Sequence, residues 1–73
     1  MNEYLEDKIN SLQSEIEYYI GIIEETRLKR ETSNNPASIN YYDRKIYYAE
    51  YNLFRLQAEQ DRLKSKIASR ILK

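Results

Sequence analysis

Cysteine and histidine are absent from this 73-residue chain, which has a single glycine, a single proline and no valine. Without cysteine no disulfide can staple the fold, and without either residue a structural zinc site lacks its ordinary ligands. A chain this short builds a limited core and normally leans on disulfides, a metal or association with other chains. With disulfides excluded and the ordinary zinc ligands missing, association or very regular helix packing is left. The scarcity of turn residues and the lack of valine argue against a sandwich or barrel. No apolar run approaches the length of a membrane span, and no signal-peptide core follows Met1. The expectation is a soluble, cytoplasmic protein with no membrane partner.

The same absences bear on chemistry. The usual proton shuttle and thiol nucleophile are missing. Adjacent carboxylates such as Glu24 and Glu25 point to different sides of a helix and form a solvated face. No glycine-rich phosphate loop or metal-ligand spacing occurs. The chain is therefore read as non-enzymatic, with no catalytic, cofactor-binding or metal-binding residue.

What is present favours helices. Glu, Ile, Tyr, Lys, Arg and Leu dominate, and charged residues make up 33% of the chain yet cancel to zero. The cancellation is not local. Residues 1–26 carry seven acids and one base, whereas residues 27–73 carry five acids and eleven bases, so an acidic segment is set to fold on a basic one. Nine isoleucines and six asparagines against four alanines hint at AT-rich coding, as in low-GC bacteria, their phages and mobile elements.

Thr32-Ser33-Asn34-Asn35-Pro36 is the one cluster of helix breakers. Asn35 suits an N-cap and Pro36 the first helical position behind it, and the residue before a proline is pushed out of the α region. This predicts a helix from about residue 3, capped by Asn2, to about 31, a turn over 32–35, and a second helix from about 36 to 72. Leu5, Ile9, Leu12, Ile16, Tyr19, Ile23 and Thr26 alternate by four and three along the first. Ile39, Tyr42, Ile46, Ala49, Leu53, Leu56, Gln60, Leu63 and Ile67 alternate by three and four along the second. That is the a/d seam of a coiled coil, and so short a turn makes the helices antiparallel. The expected fold is all-α: a single-domain, two-helix antiparallel coiled-coil hairpin. In its register Ile9 meets Gln60, Leu12 meets Leu56 and Ile23 meets Ile46. Glu6 then faces Lys64, Arg27 faces Asp43, Lys8 faces Glu59 and Gln13 faces Gln57.

Five of the eight tyrosines fall within INYYDRKIYYAEYNLF, residues 39–54. Only Tyr42 among these lies in the seam. Tyr47, Tyr51, Phe54 and Ala58 form a row about 150° away from it. Tyr41 and Tyr48 lie further round, in line with Arg55 and Arg62. On the first helix Ile20 and Ile22 flank the seam, Tyr18 lies further out, and Gly21 sits on the outer face. Exposed contiguous apolar surface marks an interaction site, and tyrosine and arginine are residues interfaces favour. Self-association is therefore expected through Tyr18, Ile20, Gly21, Ile22, Tyr47, Tyr51, Phe54 and Ala58, giving a four-helix bundle or larger helical assembly. Tyr41, Arg44, Tyr48, Arg55 and Arg62 are expected to engage an unidentified protein with an acidic surface. The function read from this is a small adaptor, assembly factor or inhibitor, of phage or mobile-element type.

The alternative is nucleic-acid binding. Arg62, Lys64, Lys66, Arg70 and Lys73 end the chain with no acid after Asp61. Tyr41 and Tyr48 could stack on bases while Arg55 and Arg62 neutralise phosphates. The architecture resembles that of Rop-type RNA-binding hairpin dimers. The resemblance is one of shape, since no motif of that family occurs in the chain, and no residue is carried over from it.

Overall fold

The structure is a computed structural model that describes residues 3–71. These form two helices, α1 (Glu3–Glu31) and α2 (Pro36–Ile71), with no strand among the described residues. The expected Asn2 cap, and Leu72 and Lys73 at the basic end, lie outside the described residues, as do the side chains of Arg70 and Ile71. The helices fold back into a rod of 57 × 14 × 13 Å with a radius of gyration of 16.7 Å. A compact domain of this length would have a radius of about 11 Å. The long dimension follows from the 36 residues of α2, each adding about 1.5 Å.

The turn is built from side chains rather than from glycine. Thr32 Oγ1 donates to the Leu28 and Lys29 carbonyls at 3.3 and 3.1 Å; the Leu28 carbonyl also takes the Thr32 amide at 3.3 Å, so the hydroxyl serves the last carbonyls of α1. Asn35 Oδ1 accepts from the Ala37 amide at 2.9 Å, and the Asn35 carbonyl accepts from the Ile39 amide at 3.0 Å. This is the geometry of an N-cap with proline at the first helical position. No non-glycine residue has positive φ among the described residues, so the reversal costs no left-handed strain. Glu3 and Glu6 in the first turn of α1, and Lys29 and Arg30 in its last, suit the helix dipole.

Every residue expected in the seam is buried or half-buried. Leu5, Leu12, Ile16, Leu56 and Leu63 form one buried cluster toward the open end, with Ile9, Tyr19, Leu53 and Ile67 packed on it. Ile23, Thr26 and Ala49 are buried toward the turn. Gln60, the polar member of the α2 seam, donates to the Ile9 carbonyl at 3.3 Å and to Gln13 Oε1 at 2.9 Å. The contact with Ile9 sets the expected register.

The flanking pairs differ from those expected. Arg27 binds Glu50 at 3.3 Å instead of Asp43, and Asp43 is taken by Arg30. Gln13 meets Gln60 rather than Gln57. Glu59 is held within its own helix by Arg62, at 2.6 Å, rather than by Lys8. No ion pair joins Glu6 to Lys64 among the described residues. One cause covers the three cross-helix changes. Helical side chains lean toward their own N-terminus, which is the open end for α1 and the turn for α2. Partners on antiparallel helices therefore lean toward one another from positions one turn apart, as for Arg30 and Asp43, to two turns apart, as for Arg27 and Glu50, and groups exactly level pass each other.

Candidate functional site

The seam uses one face of each helix and leaves the apolar residues elsewhere in water. Tyr18, Tyr41, Tyr47, Tyr48, Tyr51 and Phe54 are all more than half exposed, Tyr47 reaching 75%. Ile20, Gly21 and Ala58 are exposed and Ile22 is half-buried. The total accessible surface is 5807 Å², where a compact monomer of 8.9 kDa would show about 4,800 Å². The excess is of the size that a specific protein interface covers.

The exposed residues do not form one surface. Ile20 and Ile22 are about 200° apart on α1, so they open on opposite flanks of the hairpin. On the first flank, Ile20, Ile23, Leu53 and Phe54 floor a shallow cleft of about 360 Å³, walled by Glu24, Arg27 and Glu50. The Arg27–Glu50 ion pair bridges the two helices at this cleft. Tyr47 stands one heptad from Phe54 on the same side, with Tyr51 and Ala58 next to that row on the back of α2. On the second flank lie Tyr18 and Ile22 from α1, and Tyr41, Tyr48, Arg55 and Arg62 from α2, the last four spaced by seven. Tyr18 packs edge-on against Tyr19, centroids 5.3 Å apart, and Tyr41 against Tyr42 at 5.7 Å. Tyr18 and Tyr41 are thus each braced by the seam ring beside them.

The eight residues expected to self-associate are accordingly divided. Ile20, Tyr47 and Phe54 share the first flank, Tyr18 and Ile22 the second, and Gly21, Tyr51 and Ala58 the backs of the helices. An added Cβ at Gly21 meets nothing within 4 Å, so nothing in the hairpin itself calls for glycine there.

The arginines expected to meet a partner differ in readiness. Arg62 makes two bonds to the Glu59 carboxylate, at 3.1 and 2.6 Å. The bond to Glu59 holds the guanidinium above its ordinary value. The Glu59 carboxyl is held below the usual range, first by that bond, against some desolvation, and then by the charges of Arg62, Lys8 and Lys66. Lys8, Glu59, Arg62 and Lys66 therefore share one electrostatic neighbourhood on the second flank. Arg55 donates to Asn52 Oδ1 at 3.3 Å. Arg44 is exposed, with no ion pair among the described residues.

Asn52 is a residue the sequence reading passed over. It is buried, 7% exposed, and donates to the Tyr48 carbonyl at 2.9 Å while accepting from Arg55. It ties the Arg55 guanidinium to the Tyr48 backbone carbonyl on the second flank. Its signal was its place beside the seam, between Ala49 and Leu56, where a small polar group can be covered. Glu24, Arg27 and Glu50, which wall the cleft, were likewise passed over as a set.

Among the described residues no group of acidic side chains is placed to hold a metal ion, and no helix is long and apolar enough to cross a membrane. Comparison with known proteins finds no matching family model, no matching curated protein and no matching solved structure.

Proposed function

We propose that the chain is a cytoplasmic, non-enzymatic protein–protein interaction module that self-associates through its aromatic waist and presents the remaining tyrosine and arginine surface to a partner. The observation that carries this reading is the row of large apolar side chains left in water on both flanks of a well-packed seam. Tyr and Phe lose little conformational freedom on docking and supply large contact area with, for Tyr, a polar tip. A single hairpin has no second layer to cover them, whereas a bundle of hairpins does. An adaptor, assembly factor or inhibitor of phage or mobile-element type fits such a module.

The experiment is mass in solution. Multi-angle light scattering of the purified protein is expected to give at least twice the chain mass. A monomer of full helicity at every concentration would sink the proposal.

A further inference from the structure

We infer that the assembly is heterologous: the first flank of one hairpin docks on the second flank of the next, both pointing the same way and without stagger. This rests on the reading of the chain as a self-associating module and adds which surfaces meet.

The argument is the charge around each apolar patch. The first flank is acidic. Glu6, Glu17 and Glu24 line its α1 side, and Glu50 and Asp61 its α2 side, with Arg27 and Lys64 the basic exceptions. Glu50 is committed to Arg27, while Glu6, Glu24 and Asp61 have no ion-pair partner among the described residues. The second flank is basic. Lys8, Lys45, Arg55 and Lys66 surround Tyr18, Ile22 and Tyr48, and among the described residues none of these four cations has a carboxylate partner within ion-pair distance. Glu15, in line with Lys8 and Ile22, and Glu59, taken by Arg62, are the acidic exceptions. A two-fold dimer would bury a flank against its own copy, placing Glu24 and Asp61 in an acidic interface or Lys45 and Lys66 in a basic one. Like charges so placed oppose association. Flank on opposite flank brings the unpaired acids to the unpaired bases.

The levels along the rod agree. With the register set by Gln60 and Ile9, Ile20 and Tyr47 lie level with Tyr18, Ile22 and Tyr48, so waist meets waist. At the same shift Glu6 and Asp61 come level with Lys8, and Glu24 with Lys45, against the like-charge levels of Glu17 with Glu15 and Lys64 with Lys66. Reversing one hairpin about its waist would carry Glu6 and Asp61 to the neighbour's turn, away from the cations of the open end. A heterologous contact of this kind repeats into an open ribbon, or into a ring if the rotation between neighbours closes.

Two exposed positions test it, Phe54 on the first flank and Tyr48 on the second, 66% and 64% exposed. Phe54→Lys blocks the acidic flank and Tyr48→Glu the basic one. Each variant alone is expected to keep wild-type helicity and sediment as a monomer. Mixed, they are expected to form a one-to-one pair of twice the chain mass, because each supplies the flank the other lacks. Wild type should grow in mass with concentration, or hold a ring of three or more. A wild type fixed at two chains overturns the heterologous contact and leaves self-association standing; a wild type always monomeric overturns both. A mixture that stays monomeric while wild type assembles also overturns the inference. Should either variant lose helicity, Glu24→Lys and Lys45→Glu replace them: each singly lowers the assembled mass, and the double variant restores it. No restoration overturns the same-direction register.

Discussion

The seam and the waist are made of similar apolar side chains and come to opposite ends. Ile16 is 3% exposed and Ile20, four residues later on the same helix, is 37% exposed. Nothing in their chemistry separates them; about 40° of helix rotation does. The seam is a region where burial is completed by the chain's own second helix. The waist is one where the same driving force, about 25 cal/mol per Å² of apolar surface, has no intrachain outlet. Hairpin stability and the proposed association thus fall to different sides of the same helices, and substitutions should separate the two.

The largest effect belongs to the seam. Ile16→Ala opens a cavity in the buried cluster beside Leu12 and Leu56 and is expected to cost about 2–4 kcal/mol of hairpin stability, read by urea melts followed by circular dichroism. The waist counterpart is Tyr47→Lys with Tyr51→Lys. Both rings are exposed, so assembly mass should fall to that of one chain while helicity persists at low temperature. If mass and melting are both unchanged, the waist is not where copies meet. Smaller is Gly21→Ala. The added methyl meets open space, so the helix should gain up to about 1 kcal/mol. Assembly mass should not change, since Gly21 belongs to neither flank. A loss of mass would place another backbone against the back of α1. The smallest effect is that of pH. Glu59 titrates below the usual carboxylate range because Arg62 binds it. The stabilisation from this pair is therefore present above the ordinary carboxylate value and lost as pH falls through the lower folded value. Thermal melts of Glu59→Gln should show a shallower acid limb than wild type; identical limbs would mean the exposed pair contributes nothing measurable.

The helices and the seam were legible in the sequence because both depend on local signals. Asn35-Pro36 marks a helix start by its own chemistry, and a three–four alternation sustained over four heptads has one helical reading. The side-chain pairing was less legible. Levelling Arg27 with Asp43 treats residues as points on an axis, whereas long side chains lean and reach. Arg30, which takes Asp43, lies on the continuation of the α1 seam beyond Thr26, past the last residue of the alternating set. The outer residues were half legible. Their exposure followed from the seam, but grouping Ile20 with Ile22 by sequence proximity hid their assignment to opposite flanks. The charge difference between those flanks is visible only once both helices are laid side by side. The acidic-first, basic-second division along the chain suggested a different axis of polarity.

The proline at the start of α2 has a consequence for how the chain can misassemble. Two helices joined by a four-residue turn are close to being one helix, and straightening the turn would let two chains exchange their second halves. Pro36 opposes this. In a continuous helix it would remove a backbone hydrogen bond and crowd the Thr32 carbonyl, at about 3 kcal/mol. The Asn35 cap, worth about 1 kcal/mol, would be lost as well. The turn is therefore a barrier to domain swapping, and it keeps each hairpin a closed unit.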